Sequence, residues 1–120
     1  MPDKAVHGFK RIRNAIKYSY KGLTSAFKNE AAFREELLLA VIFISSAFYF
    51  EVTDVERVLL VTSVLLVLVV ELINSAIEAV VDRVGEDFHE LSGRAKDMGS
   101  AAVFITILLA VYVWIEIIII

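Results

Sequence analysis

Within the run Glu71-Leu-Ile-Asn-Ser-Ala-Ile-Glu78, four polar groups fall on one side of a helix. At about 100° per residue, Glu71 and Glu78 come within about 20° of each other, with Asn74 about 60° to one side and Ser75 about 40° to the other. Their neighbours are Val, Leu, Ile and Ala, so a polar stripe runs down an otherwise apolar helix. Ionisable groups in such a setting cost several kcal/mol and face a bundle interior or an aqueous site. A lone Asn or Glu would serve as glue between helices; two carboxylates and an amide on one face point to chemistry instead. The carboxylates stand about 10 Å apart along the axis, too far to share one Mg²⁺ with ligands at about 2 Å. Each therefore needs its own partner or its own task.

Two further polar pairs flank apolar runs: Asn29-Glu30 before the first, and Lys96-Asp97 before the last. Gly-x-x-x-x-Gly-Lys is absent, so no phosphate-cradling loop of that type exists. If phosphate is handled here, Mg²⁺ on carboxylates together with Lys or Arg must neutralise it. With no Cys in the chain, disulfides, thiolate metal sites and Cys nucleophiles are excluded.

The elements that hold these groups follow from composition. The chain has 120 residues, 58% of them hydrophobic, and a mean hydropathy of +0.72. So short a chain cannot bury that much apolar surface by itself, and the excess must face lipid or other chains. Three runs approach the roughly 20 residues that cross a bilayer. Leu37–Phe50 does so only if it extends back to about residue 31; Val58–Val81 and Met98–Ile120 are long enough as they stand. None contains Pro, so each can be an unbroken helix. The chain reads as a single membrane domain over residues 1–120, with transmembrane helices at about 31–50, 58–81 and 98–120.

Residues 1–28 form a different element. Phe9, Ile12, Ile16, Tyr20, Leu23 and Phe27 recur at helical spacing among Lys, Arg, Asn and Ser, which predicts an amphipathic helix lying in the interface plane. Gly22 is expected to divide it into two pieces. Lys and Arg number seven in residues 1–28, one in the 51–57 turn, three in residues 82–97 and none beyond. That alternation places the N-terminus and the 82–97 loop in the cytoplasm. A cleavable signal peptide is not expected, because a long polar stretch precedes the first apolar run. Counted from Val58, Glu71 is about 20 Å along its span and Glu78 about 30 Å, at the cytoplasmic surface. Such a stripe suits a reaction between a water-soluble reagent and one dissolved in the membrane. Three helices enclose little, which argues for oligomerisation.

Three stretches resemble the prokaryotic diacylglycerol kinase family: Asn29-Glu-Ala-Ala-Phe-Arg34, Glu71 through Asp82, and His89-Glu-Leu-Ser-Gly-Arg-Ala-Lys-Asp-Met-Gly-Ser-Ala-Ala102. The resemblance covers essentially the whole chain, including Tyr18-Ser-Tyr-Lys-Gly-Leu23. It implies an all-α integral membrane enzyme: a surface helix plus three transmembrane helices per chain, assembled as a homotrimer in the bacterial inner membrane. It implies transfer of the γ-phosphoryl group of MgATP to the primary hydroxyl of diacylglycerol, giving phosphatidic acid. Its partners are then ATP and a bilayer lipid, with no nucleic acid.

By matching position, Glu71 resembles the general base, and Glu30 and Glu78 the carboxylates that hold Mg²⁺ with the ATP phosphates. Asn74 sits between those roles. Lys96 and Asp97 would meet the nucleotide, Arg11 and Tyr18 would reach it from the surface helix, and Asp87, Phe88 and His89 would close over it. Arg11, Ser19, Glu36, Glu71 and Ser100 would line the lipid acceptor. Tyr20 stands where the family is expected to have Trp. Two other readings compete: an undecaprenol kinase on the same scaffold, and a small proton-coupled transporter built on Glu71. The wording of Ser92 to Ser100 favours the diacylglycerol branch. Carboxylates gathered at one membrane face count against the transporter.

Overall fold

The computed structural model describes residues 8–85 and 89–120. Among these residues the regular structure is all helical: α1 (Gly8–Asn29), α2 (Ala31–Ala47), α3 (Asp54–Val84) and α4 (Glu90–Trp114), the last continued by a π-helical turn at Ile115–Ile119. α3, at 31 residues, and Glu90–Ile119, at 30 residues, are long and apolar enough to cross a membrane.

Several helices are longer than their apolar runs. α3 starts at Asp54 because Thr53 and Glu56 close a capping box there: Thr53 Oγ1 accepts from Glu56 N at 3.2 Å, and Thr53 N donates to Glu56 Oε1 at 2.9 Å. Those bonds satisfy helix-end donors that would otherwise be free, and Asp54 and Glu56 suit the positive end of the dipole. α4 starts at Glu90, with His89 Nδ1 accepting from Leu91 N at 3.1 Å as its cap. α2, by contrast, ends at Ala47 and not at Phe50. Arg57 closes that end by donating from Nε to the Ala47 carbonyl at 3.1 Å and from Nη2 to the Phe50 carbonyl at 3.3 Å. Gly22 does not divide the surface helix, since α1 runs unbroken through it.

α3 packs chiefly against α4 and next against α2, while α1 touches the bundle mainly near α2. The Trp114 indole donates to the Leu60 carbonyl at 3.2 Å and meets the Phe43 ring edge-on at 5.2 Å between centroids. This locks the C-terminal ends of α2 and α4 to the N-terminal end of α3. The polar ends of α3 and α4 therefore meet at the opposite end of the bundle, where α1 joins. The extents are 48 × 43 × 22 Å. The longest matches α3, about 46 Å at 1.5 Å per residue.

Little of the apolar surface is covered. The buried hydrophobic residues are Ala26, Phe33, Ala40, Ala47 and Leu60, whereas Leu38, Ile73, Phe104, Ile105 and Tyr112 are exposed. Phe9, Ile12, Ile16 and Tyr20 on α1 are also uncovered. Exposed apolar surface on this scale needs lipid or neighbouring chains against it.

Candidate active site

The polar stripe of α3 is turned inward. Glu71, Asn74 and Ser75 are buried, with Glu71 only 5% exposed, and Glu78 is half-buried, while Ile73 and Val80 on the other face are exposed. Glu71 lies within Coulombic reach of Glu30, Glu36 and Glu78, so the four carboxylates form one cluster centred on it. Asn74 Nδ2 donates to Glu78 Oε1 at 3.5 Å, which ties the middle of the stripe to its C-terminal end.

Glu30 arrives from another direction. It is the only residue between α1 and α2 and has extended backbone angles, φ −118° and ψ 107°. Arg34 fixes this elbow: its Nη1 donates to the carbonyls of Phe27 at 2.7 Å and Lys28 at 3.2 Å, the last turn of α1. Those carbonyls have no intrahelical partner and carry the negative end of the helix dipole, which an Arg cation satisfies on both counts.

α4 contributes by close approach. Gly99 is buried, and a Cβ there would overlap the amide oxygen of Asn74. A side chain at 99 would force the Asn74 amide to move. One turn earlier, Lys96 Nζ donates to Asp82 Oδ1 at 2.9 Å and also feels Glu78. The hydrogen bond it donates to Asp82, and then the charge of Asp82, raise the Lys96 pKa, so Lys96 is firmly cationic at neutral pH. Asp97 and Ser100 are exposed on the same helix.

The C-terminal halves of α1 and α3 flank a pocket of about 730 Å³. Ser19, Gly22 and Ala26 line it from α1; Ser75, Ala76 and Ala79 line it from α3; Asn29 and Glu30 stand at the elbow. Nothing in the fold requires glycine at 22: a Cβ there meets no atom within 4 Å. A mid-helix glycine costs roughly 0.5–1 kcal/mol relative to alanine, so this one keeps space free at the expense of helix stability. A second cavity, about 310 Å³ and apolar, lies between α2, α3 and α4, with Glu36 at one end and Trp114 at the other. Glu36 Oε2 is buried there without a hydrogen-bond partner.

The structure thus gathers Glu30, Glu36, Glu71, Asn74 and Glu78 and brings Lys96 to their edge. Arg11 and Tyr18 lie elsewhere: along α1 they are about 28 Å and about 18 Å from Glu30. Both are exposed, with Lys21 Nζ 5.9 Å from the centre of the Tyr18 ring. Ser19 Oγ donates back to the Ala15 carbonyl at 2.8 Å. Asp87 and Phe88 lie outside the described residues. Among the described residues, no three acidic or histidine side chains converge into a metal cage. The donors near Glu71 are all oxygen, which fits Mg²⁺ held by one or two carboxylates with phosphate oxygens completing its shell.

Sequence reasoning placed Ser75 on the stripe without assigning it a role, and passed over Asp82, Gly99 and Arg34. Gly99 carried a readable signal, an unexplained glycine inside a helix. Arg34 and Asp82 carried none, since their partners are backbone or a residue 14 positions away.

These features define a small helical protein with two membrane-length helices and a carboxylate-centred site where a surface helix joins the bundle. A model of the prokaryotic diacylglycerol kinase family matches residues 17–118. The chain is 57% identical over 107 residues to a diacylglycerol kinase of Escherichia coli (strain K12), covering 89% of this chain and 88% of that one. It is 54% identical to the diacylglycerol kinase of Haemophilus influenzae, covering 89% and 91% of the two chains, and 50% identical to that of Pseudomonas aeruginosa, covering 94% and 92%. The chain belongs to the prokaryotic diacylglycerol kinase family.

Proposed function

We propose that the chain phosphorylates diacylglycerol from ATP at the cytoplasmic face of the bacterial inner membrane, with Glu71 as general base. The observation that carries this reading is the position of Glu71: buried, among three other carboxylates, and about 10 Å along α3 from Glu78. Glu71 takes the proton of the lipid hydroxyl as that oxygen bonds to the γ-phosphorus and the bond to the departing ADP oxygen breaks. Glu30 and Glu78 hold Mg²⁺ with the nucleotide phosphates; the ion's chemistry is to offset phosphate charge. Asn74 holds Glu78 in place, and Lys96 gives a hydrogen bond and a positive charge to phosphate. Asp97 and His89 meet the nucleotide beside it.

The acceptor enters through the pocket between α1 and α3, passing Ser19; Glu36, in the neighbouring cavity between α2, α3 and α4, and Ser100 on α4 stand outside that pocket's lining. α1 lies in the interface with its exposed apolar stripe in lipid and its Lys and Arg residues near head groups. α2, about 26 Å long, is the third span. The protein acts as a homotrimer, which supplies cover for the exposed helix faces. It also lets Arg11 and Tyr18 serve a neighbouring chain's site, since α1 carries them away from their own.

Purified whole chain in mixed micelles, given labelled MgATP with diacylglycerol and undecaprenol in parallel, tests this reading. Phosphatidic acid is the expected main product. ATP consumption without lipid product, or preference for undecaprenol, would overturn it.

A further inference from the structure

Ser75 is left without a task by the reaction just described. It is 8% exposed, and its Oγ is buried with no hydrogen-bond partner. Several other hydroxyls in these helices do find a partner. Thr62, Ser63 and Thr106 each donate to a carbonyl three or four residues earlier. The same local bond is open to any helical serine. A buried polar group that forgoes it calls for a specific explanation, and a ligand that completes it is one.

The place of this hydroxyl says which ligand. Ser75 belongs to the wall of the pocket between α1 and α3, opposite the space that Gly22 leaves unfilled. Along α3 it stands about 6 Å beyond Glu71 and about 4.5 Å short of Glu78. Glu71 marks the level of the acceptor oxygen and Glu78 that of the nucleotide phosphates. Between them lies the level at which the phosphoryl group changes partners. Glu30, Glu71 and Glu78, when ionised, can only accept hydrogen bonds, so phosphate oxygens among them need a donor. A serine hydroxyl supplies one without adding charge.

Taking that reading of the site as its basis, we propose that Ser75 is a catalytic residue whose hydroxyl donates a hydrogen bond to a non-bridging oxygen of the phosphoryl group during transfer. Ser75 keeps its own proton throughout. The acceptor's proton goes to Glu71, and the electron pair of the broken P–O bond leaves with ADP.

The test compares Ser75→Ala, Ser75→Thr and Glu71→Gln in the whole chain, measuring kcat, the KM for each substrate and thermal unfolding. A donor used mainly in the transition state acts on kcat, so Ser75→Ala should lose at least about tenfold in kcat with both KM values within about twofold of the parent. Its melting temperature should not fall, because the hydroxyl removed has no partner in the folded chain. Ser75→Thr, which keeps the hydroxyl, should recover most of the turnover. Full turnover in Ser75→Ala beside an inactive Glu71→Gln would overturn the proposal and leave the site reading standing. A defect confined to the lipid KM would also overturn it, making Ser75 part of the acceptor wall. So would a loss that Thr fails to rescue in a variant with a lowered melting temperature. If Glu71→Gln retains turnover, the reading of the site falls and the proposal falls with it.

Discussion

The side-chain oxygen of Asn74 on α3 rests against Gly99 on α4 so closely that a methyl group at position 99 would occupy its place. Asn74 Oδ1 is buried and has no hydrogen-bond partner, and the other end of its amide holds Glu78. Any change at Gly99 is therefore transmitted to Glu78, at the C-terminal end of the stripe. Gly99→Ala should lower stability by about 1–3 kcal/mol, the usual cost of overpacking a close contact. The same variant should also lose activity. Asn74→Ala removes the atoms that collide, so the double variant should recover part of the stability but none of the turnover. Unfolding of all three variants in detergent yields the coupling, expected above about 0.5 kcal/mol for groups in contact. Additive losses would separate the two residues.

Glu71→Gln should keep the fold and still bind MgATP, yet lose at least about 10²-fold in turnover, the usual scale for a general base. Nucleotide binding and lipid phosphorylation need to be measured on the same preparation. Loss of both together would make Glu71 a structural or metal residue. Retention of both would end its assignment as the base.

Glu30→Gln and Glu78→Gln should each demand more Mg²⁺ for half-maximal activity and turn over slowly even at saturation, since an amide is a poorer ligand for a hard cation than a carboxylate. Both should fold into the same oligomer as the parent. Normal Mg²⁺ titrations in either variant would show that the ion is held by other groups.

Lys96→Ala should raise the KM for MgATP by about tenfold or more, because a charge-assisted bond to phosphate is lost. Asp82→Asn should produce a smaller rise, as Lys96 keeps its charge but loses the partner that directs it. The bond to Asp82 raises the Lys96 pKa, so the cation is already complete at neutrality. The Lys96→Ala defect should accordingly be flat between about pH 6 and pH 9. Unchanged kinetics in Lys96→Ala and Arg11→Ala would displace the nucleotide from this end of the bundle.

The polar stripe was legible in the sequence because helical geometry alone superimposes Glu71 on Glu78, and the structure buries the face that the wheel marks. The apolar runs located two of the long helices but not their ends. Thr53, Glu56 and His89 extend α3 and α4 through polar turns that hydropathy does not register. Gly22 misled in the opposite sense. A lone glycine costs a helix little, and α1 absorbs that cost to leave a pocket open. The Asn74–Gly99 approach, the Arg34 clamp and the Lys96–Asp82 pair were hidden for a common reason: each depends on where two helices cross, and one-dimensional periodicity carries no crossing geometry.

The elbow at Glu30 sets how motion of the surface helix reaches the reaction centre. α1 is a lever 22 residues long, and the carboxylate expected to hold the metal sits at its pivot. A rocking of about 10° would sweep the Gly8 end of a rod about 33 Å long through about 6 Å. A group on the axis of rotation scarcely moves. With α1 in the interface as proposed, the arm would follow the lipid surface while its Glu30 end stays in register with α3.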